Sequence, residues 1–317
     1  MSVPMVARLL LVSVFIGASF NLASYAVHFF AAPAAAAWRF GFAALLLLVL
    51  LFAKERMNTE ALRKNWPMFV LLGVVGVFGF NILFFEGMKS TLPLNGALIM
   101  ATNPLVSALL ARVILRDPIS LRQGTGILFS LVGVLLVITQ GSWHVIGTLS
   151  FSAGDLLLLG GNLCWALYGV LGRGFIRGSS SLATTAYTMT VGAVCLMLAA
   201  GGSTGPLPLS SIPWSAWGAV AFMAVFASVL GYLWWNRGIA ELGISRTAIF
   251  FNLVPLVTML ISMLSGTPIT AVQVLGTLLV LLGVAVASLP SRKAERKAAV
   301  TLSAGGRPDT TPPSAQR

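Results

Sequence analysis

The sequence predicts an all-α integral membrane protein. It reads as ten transmembrane helices in two inverted five-helix repeats, with the N- and C-termini cytoplasmic. Three observations predict this. The chain has 317 residues, 57% hydrophobic and only 9% charged, against about 25% charged in an average soluble domain. Apolar runs of spanning length follow one another along it. Its two halves also align with each other at a nearly constant offset.

So few charges would leave a soluble globule of this size with large apolar patches facing water. A bilayer-crossing helix, by contrast, needs ~20 mostly apolar residues. Ten such runs fall at about 6–27, 33–53, 66–88, 92–115, 121–139, 152–172, 182–200, 214–235, 242–264 and 270–289. They are continuous, unlike the short alternating segments of a barrel, so helices are the expected spanning form.

The net charge of +12 resembles a nucleic-acid footprint at first sight. The basic residues argue otherwise, because they are scattered singly between apolar runs. With ten crossings and a cytoplasmic N-terminus, 18 of the 20 Lys and Arg fall on the inner side. Only Arg39 and Lys89 fall outside. That asymmetry is the positive-inside pattern and orients both ends inward. No nucleic-acid partner is expected, and the location is the cell inner (plasma) membrane.

Arg8, the apolar run after it and Ala31 to Ala37 mimic a secretory signal peptide. The run is long enough to span, however, and its removal would spoil the repeat. Cys164 and Cys195 lie inside apolar runs and read as small packing residues. Their spacing supports neither a disulfide framework nor a zinc site.

At an offset of 151, Trp66 meets Trp217, Gly87 meets Gly238 and Ala97 meets Ala248. Pro104-Leu105-Val106 meets Pro255-Leu256-Val257. At 150, Pro118-Ile119 meets Pro268-Ile269, Gln123 meets Gln273 and Gly133-Val134 meets Gly283-Val284. Shared apolar composition would not bring prolines, glutamines and glycines into the same order. Five runs per half is an odd number, so the second half enters from the opposite side. Inverted repeats of this kind are a transporter signature, with the substrate site near the midplane between them.

At these residues the chain resembles the drug/metabolite transporter superfamily, in its EamA-type branch. The resemblance is carried by Pro33…Ala37-Trp38-Arg39-Phe40, by Asn103-Pro104-Leu105 with Gln123 and Gly126…Gly133-Val134, and by the second copy at Pro255-Leu256, Gln273 and Gly276…Gly283-Val284. Cys164-Trp165-Ala166-Leu167-Tyr168 is similar to the family's sixth-span element. The chain departs from the pattern where a Gly-Glu pair often follows the fourth and ninth spans. Those places hold Arg116-Asp117 and Gly266-Thr267. A first-span Trp-Gly is here Ile16-Gly17. The resemblance implies a ten-helix carrier, usually an exporter of amino acids or other small metabolites. The expected organisation is one EamA-type repeat over 1–143, a second, inverted, over 144–290, and a disordered cytoplasmic tail over 291–317.

Polar groups at span centres are costly, so they are the first candidates for function. Asn103 precedes Pro104, and a proline frees a carbonyl one turn earlier. Asn252 and Pro255 are the counterpart region. The competing reading is a packing kink with Asn103 bonded to a neighbouring helix. Asn162, Trp165 and Tyr168 are three apart and share a helix face. Tyr232, Trp235 and Asn236 answer them in the eighth span. Such walls could stack on a ring or shield an apolar body. An interfacial belt is the alternative, and it suits Trp234, Trp235 and Asn236 best. The candidate substrate-binding set is therefore Asn81, Asn103, Trp165, Tyr168, Tyr232 and Asn252.

Arg39 is the one cation well inside an outer span end. It reads as a structural ion-pair or carbonyl-capping residue, or as a partner for a substrate carboxylate. Glu86 and Asp155 are candidates for a coupling proton, with a solvated rim as the plainer reading. His28 and His144 fall at outer ends. Gly126 and Gly133, like Gly276 and Gly283, are seven apart and lie on one face. Small residues there let helices approach closely, as packing sites or as a homodimer face. Arg39, Pro104, Pro255 and these four glycines form the structural or gating set. Arg292, Lys293, Arg296 and Lys297 would sit against anionic lipid.

The leading function is export of a small metabolite, an amino acid or derivative foremost, by alternating access. Drug or toxic-compound efflux and metabolite uptake are the alternatives. An intramembrane enzyme would need a nucleophile–base pair or a metal cluster, and the chain has two distant His and no paired carboxylates. No cofactor or metal is expected. A channel would need a polar stripe or charge ring, which no span face carries.

Overall fold

The computed structural model describes residues 3–55, 59–116, 121–138, 141, 152–201, 209–242, 247 and 249–288. The expected repeat boundary at 143–144, His144, the tail from 291 and the Asn252 side chain lie outside what is described.

Among the described residues there are helices and connecting turns but no strands. In chain order the helices are α1 (Val3–Ala26), α2 (Ala32–Lys54), α3 (Thr59–Gly87), α4 (Pro93–Ile114) and α5 (Leu121–Ile138). The second half adds α6 (Ala153–Phe175), α7 (Ser181–Ala200), α8 (Trp214–Leu242), α9 (Val254–Leu264) and α10 (Ala271–Ser288). Seven of them, α1 to α4 and α6 to α8, are long and apolar enough to cross a membrane. The other three contain shorter apolar stretches, Gly124–Gly133, Val254–Leu264 and Ala271–Gly283.

Local chemistry sets several ends. Ser152 and Ser180 each cap a helix start, accepting from the backbone N–H of Gly154 and Ala183. Such caps satisfy donors that a helix start leaves free. α7 stops on Gly201, whose φ of 56° is the left-handed turn glycine tolerates best.

The helices bury one apolar face and expose another. On α2, Ala36, Phe40, Ala43 and Leu47 are buried, while Leu45, Val49 and Phe52 are exposed. A helix apolar all round suits a membrane span, with neighbours on one side and lipid on the other.

α5 lies along α10 and α2 along α7 in the two most extensive helix pairs. α6 packs on α3 and α4, and α1 packs correspondingly on α8 and α9. The first helix of each half thus lies against the opposite half. The hydrogen bonds follow the same correspondence. The Asn162 amide donates to the Ile99 carbonyl (3.0 Å), and the Ser13 hydroxyl donates to the Phe250 carbonyl (2.6 Å). Ile99 and Phe250 are related by the offset of 151.

Irregularities also recur in pairs. α3 passes through a π-helical stretch at Gly73–Gly79, and α8 through one at Met223–Leu230. α4 breaks at Thr102, between Pro93–Ala101 and Asn103–Ile114. α9 is preceded by a 3₁₀ turn, Ile249–Leu253. Pro104 and Pro255 each occupy the first turn after the irregularity, where a missing N–H costs least.

Candidate functional site

The π stretches lie on either side of the centre of the bundle. One extra residue per turn rotates the following side chains. Asn81 follows the first stretch and Tyr232 the second, again at an offset of 151. Both are buried. The Asn81 amide donates to Val77 O (2.7 Å), one turn back in the π stretch. Its Oδ1 has no partner. The Asn81 side chain lies beside the Tyr232 hydroxyl without strict hydrogen-bond geometry, and that hydroxyl has no other partner.

Aromatic rings close around this point. Trp165 meets Tyr232 edge to face at 4.8 Å, stacks on Tyr168 at 5.6 Å, and lies 6.0 Å from Trp235 and 6.2 Å from Phe251. Phe80 of α3 closes another side at 5.3 Å. Gly76 makes room for this layer, because a Cβ there would collide with the Tyr168 side chain. The Trp165 indole N–H is buried without a partner.

A small cavity of about 30 Å³ lies beside this layer. Arg39, Trp165, Tyr232, Phe251, Ser19 and Phe84 are among its lining residues. That volume suits about one or two waters. Arg39 is 5% exposed, and its Nε donates to the Ser228 hydroxyl at 2.8 Å. The guanidinium carbon lies 4.9 Å from the Phe40 ring and 5.9 Å from the Phe85 ring, within cation–π range. The ion pair expected for Arg39 is not formed among the described residues. A hydroxyl and two ring faces hold it instead.

On the far side of Tyr168 lies a wider vestibule of about 430 Å³. Tyr168, Arg173, Ser181, Thr184 and Asn236 contribute to its lining. The Asn236 amide donates to the Tyr168 hydroxyl (2.8 Å) and to Thr185 Oγ1 (2.8 Å). The Trp165–Tyr168 pair therefore separates cavity from vestibule, and Asn236 pins the layer to α7.

Trp165, Tyr168, Tyr232 and Asn81 thus come together at the centre. Asn103 does not join them. It is buried against α6, where its amide donates to Asn162 Oδ1 (2.8 Å) and its Oδ1 accepts from Ser107 (3.1 Å). Asn162 in turn donates to Thr102 Oγ1 at 2.9 Å. This network ties the break in α4 to α6, which is the packing-kink reading. Pro104 and Pro255 are helix-start residues. Gly133 is closed off by α10, since a Cβ would lie 2.9 Å from the Gly276 carbonyl oxygen. Gly126, Gly276 and Gly283 are buried as well. The α5–α10 contact uses Gly133 and Gly276 within one chain, so they offer no dimer face.

Glu86 pairs with Lys89 at 2.6 Å, partly exposed, as a rim charge does. Asp155 departs from the rim reading. It is buried in the first turn of α6 and accepts a hydrogen bond from the Thr91 hydroxyl. Trp235 and Asn236 depart from the belt reading. α8 runs on to Leu242, so both lie inside the bundle and Trp235 is buried.

Ser228 and Phe251 are the residues of the candidate site that the sequence reading overlooked, and Trp235 is one it assigned to the belt. Ser228 carried a usable signal, as a hydroxyl in mid-span. Phe251 carried none, being one of 19 phenylalanines.

Apolar helices packed around a small polar-edged chamber define a multi-pass helical membrane protein. The chain matches the EamA-like transporter family twice, over residues 4–139 and 152–289, and belongs to that family. It is a membrane transporter. It is 56% identical over 276 residues to the uncharacterized transporter YyaM of Bacillus subtilis strain 168, covering 87% of this chain and 90% of the relative. A second relative from that organism, the uncharacterized transporter YrdR, is 27% identical over 294 residues, with 89% and 90% covered. The crystal structure of a protein of 19% identity superposes with a TM-score of 0.65, covering 90% of this chain and 97% of the other. At that identity the likeness speaks for the fold.

Proposed function

We propose that the chain is an inner-membrane secondary carrier that exports a small metabolite, an amino acid or derivative foremost, by alternating access at the central cavity. In this reading all ten helices cross the bilayer as two inverted repeats, 1–143 and 144–290. The basic residues put both termini and the vestibule beside Arg173 in the cytoplasm. The observation that carries the reading is the stacked Trp165–Tyr168 layer between a small central cavity and a much larger vestibule. A carrier needs a site reached from one side at a time, and a thin layer held by Asn236 is suited to open and close. Paired π stretches in α3 and α8 supply matching deformable points, since π-bulges recur at functional sites.

Asn81, Trp165, Tyr168 and Tyr232 form the substrate chamber. Asn252 follows in sequence the Phe251 that lines the cavity. Asn103, Pro104 and Pro255 hold the helix breaks. The test is flux into proteoliposomes with labelled amino acids, nucleosides and small cationic drugs. Saturable flux of an amino acid, lost in Trp165→Ala, is the expected result. Saturable flux of drugs alone moves the reading to drug efflux. No saturable flux with any class overturns it.

A further inference from the structure

Arg39 is the feature that transport in general does not explain. A cation inside a span is costly and normally faces a partner of opposite charge. Here the described partners are the Ser228 hydroxyl and the rings of Phe40 and Phe85. No carboxylate among the described residues is ion-paired with it. Arg39 also lines the small cavity, together with Trp165 and Tyr232. The indole N–H of Trp165 is buried and unpartnered, and the Tyr232 hydroxyl has only the Asn81 side chain beside it, without a well-formed bond. Buried polar groups in folded proteins are almost always paired. An unpaired indole N–H and a poorly satisfied phenol beside one uncompensated cation indicate a site that is complete only with a ligand.

The chemistry narrows that ligand. Water would fit the volume and satisfy the hydrogen bonds, but it would leave the positive charge unbalanced. A carboxylate balances it, because its two oxygens match the guanidinium fork and can accept further hydrogen bonds from the indole and the phenol. A phosphate dianion would call for a second cation, and the cavity lining contains only Arg39. The remaining walls are aromatic and suit an apolar body.

We infer that Arg39, with the Tyr232 hydroxyl and the Trp165 indole N–H, forms a carboxylate-binding subsite, and that the aromatic layer moves to admit the apolar body of a monocarboxylate cargo, for which the cavity of about 30 Å³ is too small as it stands. Ser228 is a positioning residue that orients the guanidinium. The inference deepens the carrier reading and rests on it for the word cargo.

The experiment is equilibrium binding to the purified full-length protein in detergent by isothermal titration. The probes are acid and amide pairs: benzoate and benzamide, phenylacetate and phenylacetamide, N-acetyl-L-leucine and its amide. At least one acid is expected to bind about tenfold or more tightly than its amide, as a charge-assisted contact requires. Arg39→Gln should reduce that preference to about twofold or less, and Arg39→Lys should keep part of it as a point charge without the fork. If Arg39→Gln does not fold, the wild-type pairs and Arg39→Lys decide. The inference is overturned if no acid binds, if acid and amide bind alike, if Arg39→Gln keeps the preference, or if chloride competes as well as the acids. Saturable flux of neutral or cationic compounds without acid preference overturns the subsite and leaves the carrier. Acid preference without any flux does the reverse.

Discussion

The Asn103 amide donates to Asn162 Oδ1 over 2.8 Å, joining α4 at its break to the middle of α6. Asn162 also serves the Ile99 carbonyl and the Thr102 hydroxyl, so it is the hub and Asn103 a spoke. Asn162→Ala should therefore cost about 1–3 kcal/mol, because several buried groups lose their partner. Asn103→Ala should cost less, up to about 1.7 kcal/mol, the upper end for an interhelical bond in a membrane, because its bonds across the helices go to Asn162 alone. Unfolding titrations in mixed micelles measure both. Equal losses would remove Asn162 from the hub.

The second prediction concerns α5 and α10. A side chain at Gly133 would meet the Gly276 carbonyl oxygen and the Val280 backbone at 2.9 Å. Backbone cannot rotate away, so Gly133→Leu should destabilise by about 1–3 kcal/mol or more, as overpacking does. Gly218, where an added Cβ would meet nothing within 4 Å beyond its own stretch of helix, is the control. Gly218→Ala should leave the melting temperature within a degree or two. A Gly133→Leu protein as stable as the control would contradict the packing described.

Asn236 offers a test of the layer between the two chambers. Asn236→Ala removes two 2.8 Å bonds, to Tyr168 and Thr185. Ala227 lines the small cavity and is buried, which makes it a reporter. In a Cys164→Ser, Cys195→Ser background, Ala227→Cys should react slowly with a maleimide. Adding Asn236→Ala should speed labelling about fivefold, the equivalent of one lost hydrogen bond. Unchanged labelling would show that the layer opens elsewhere.

Two carboxylates that look alike in the sequence should behave differently. Glu86 shares a partly exposed pair with Lys89, so Glu86→Gln should change stability by about 0–1 kcal/mol. Asp155 is buried at the start of α6, where a carboxylate favours the helix N-terminus, and it accepts from Thr91. Asp155→Ala should cost about 1–3 kcal/mol. Thermal melts of the two variants side by side decide it. Similar losses would place both carboxylates on the rim.

Much of the candidate site was legible in the sequence. Asn81, Trp165, Tyr168 and Tyr232 stood out because a polar or amphipathic side chain at a span centre is conspicuous against hydrocarbon. Asn103 stood out for the same reason yet belongs to packing. The sequence shows that a polar group is buried but not whether a neighbour across the bundle satisfies it. Trp235 and Asn236 were read as a belt because Arg237 follows them. That reading assumed α8 ends near 235, and the π stretch and the extension to Leu242 changed both its length and its phase. Asp155 was hidden similarly, since its partner Thr91 is remote in sequence.

Composition, run length and the internal offset were enough to point to a helical membrane protein with two related halves, and the EamA kinship came from resemblance at particular residues. Hydrocarbon leaves the backbone few options, and a span's length is set by bilayer thickness. They could not say which side of each helix faces the chamber. In α2, Phe40 is buried and Phe42 exposed, though both are phenylalanines in one apolar run. When lipid and core are equally apolar, hydrophobicity no longer distinguishes inside from outside. Steric fit at the glycines, the phase shifts at the π stretches and the pairing of scarce polar groups make that choice. They place Arg39, Trp165 and Tyr232 around one cavity.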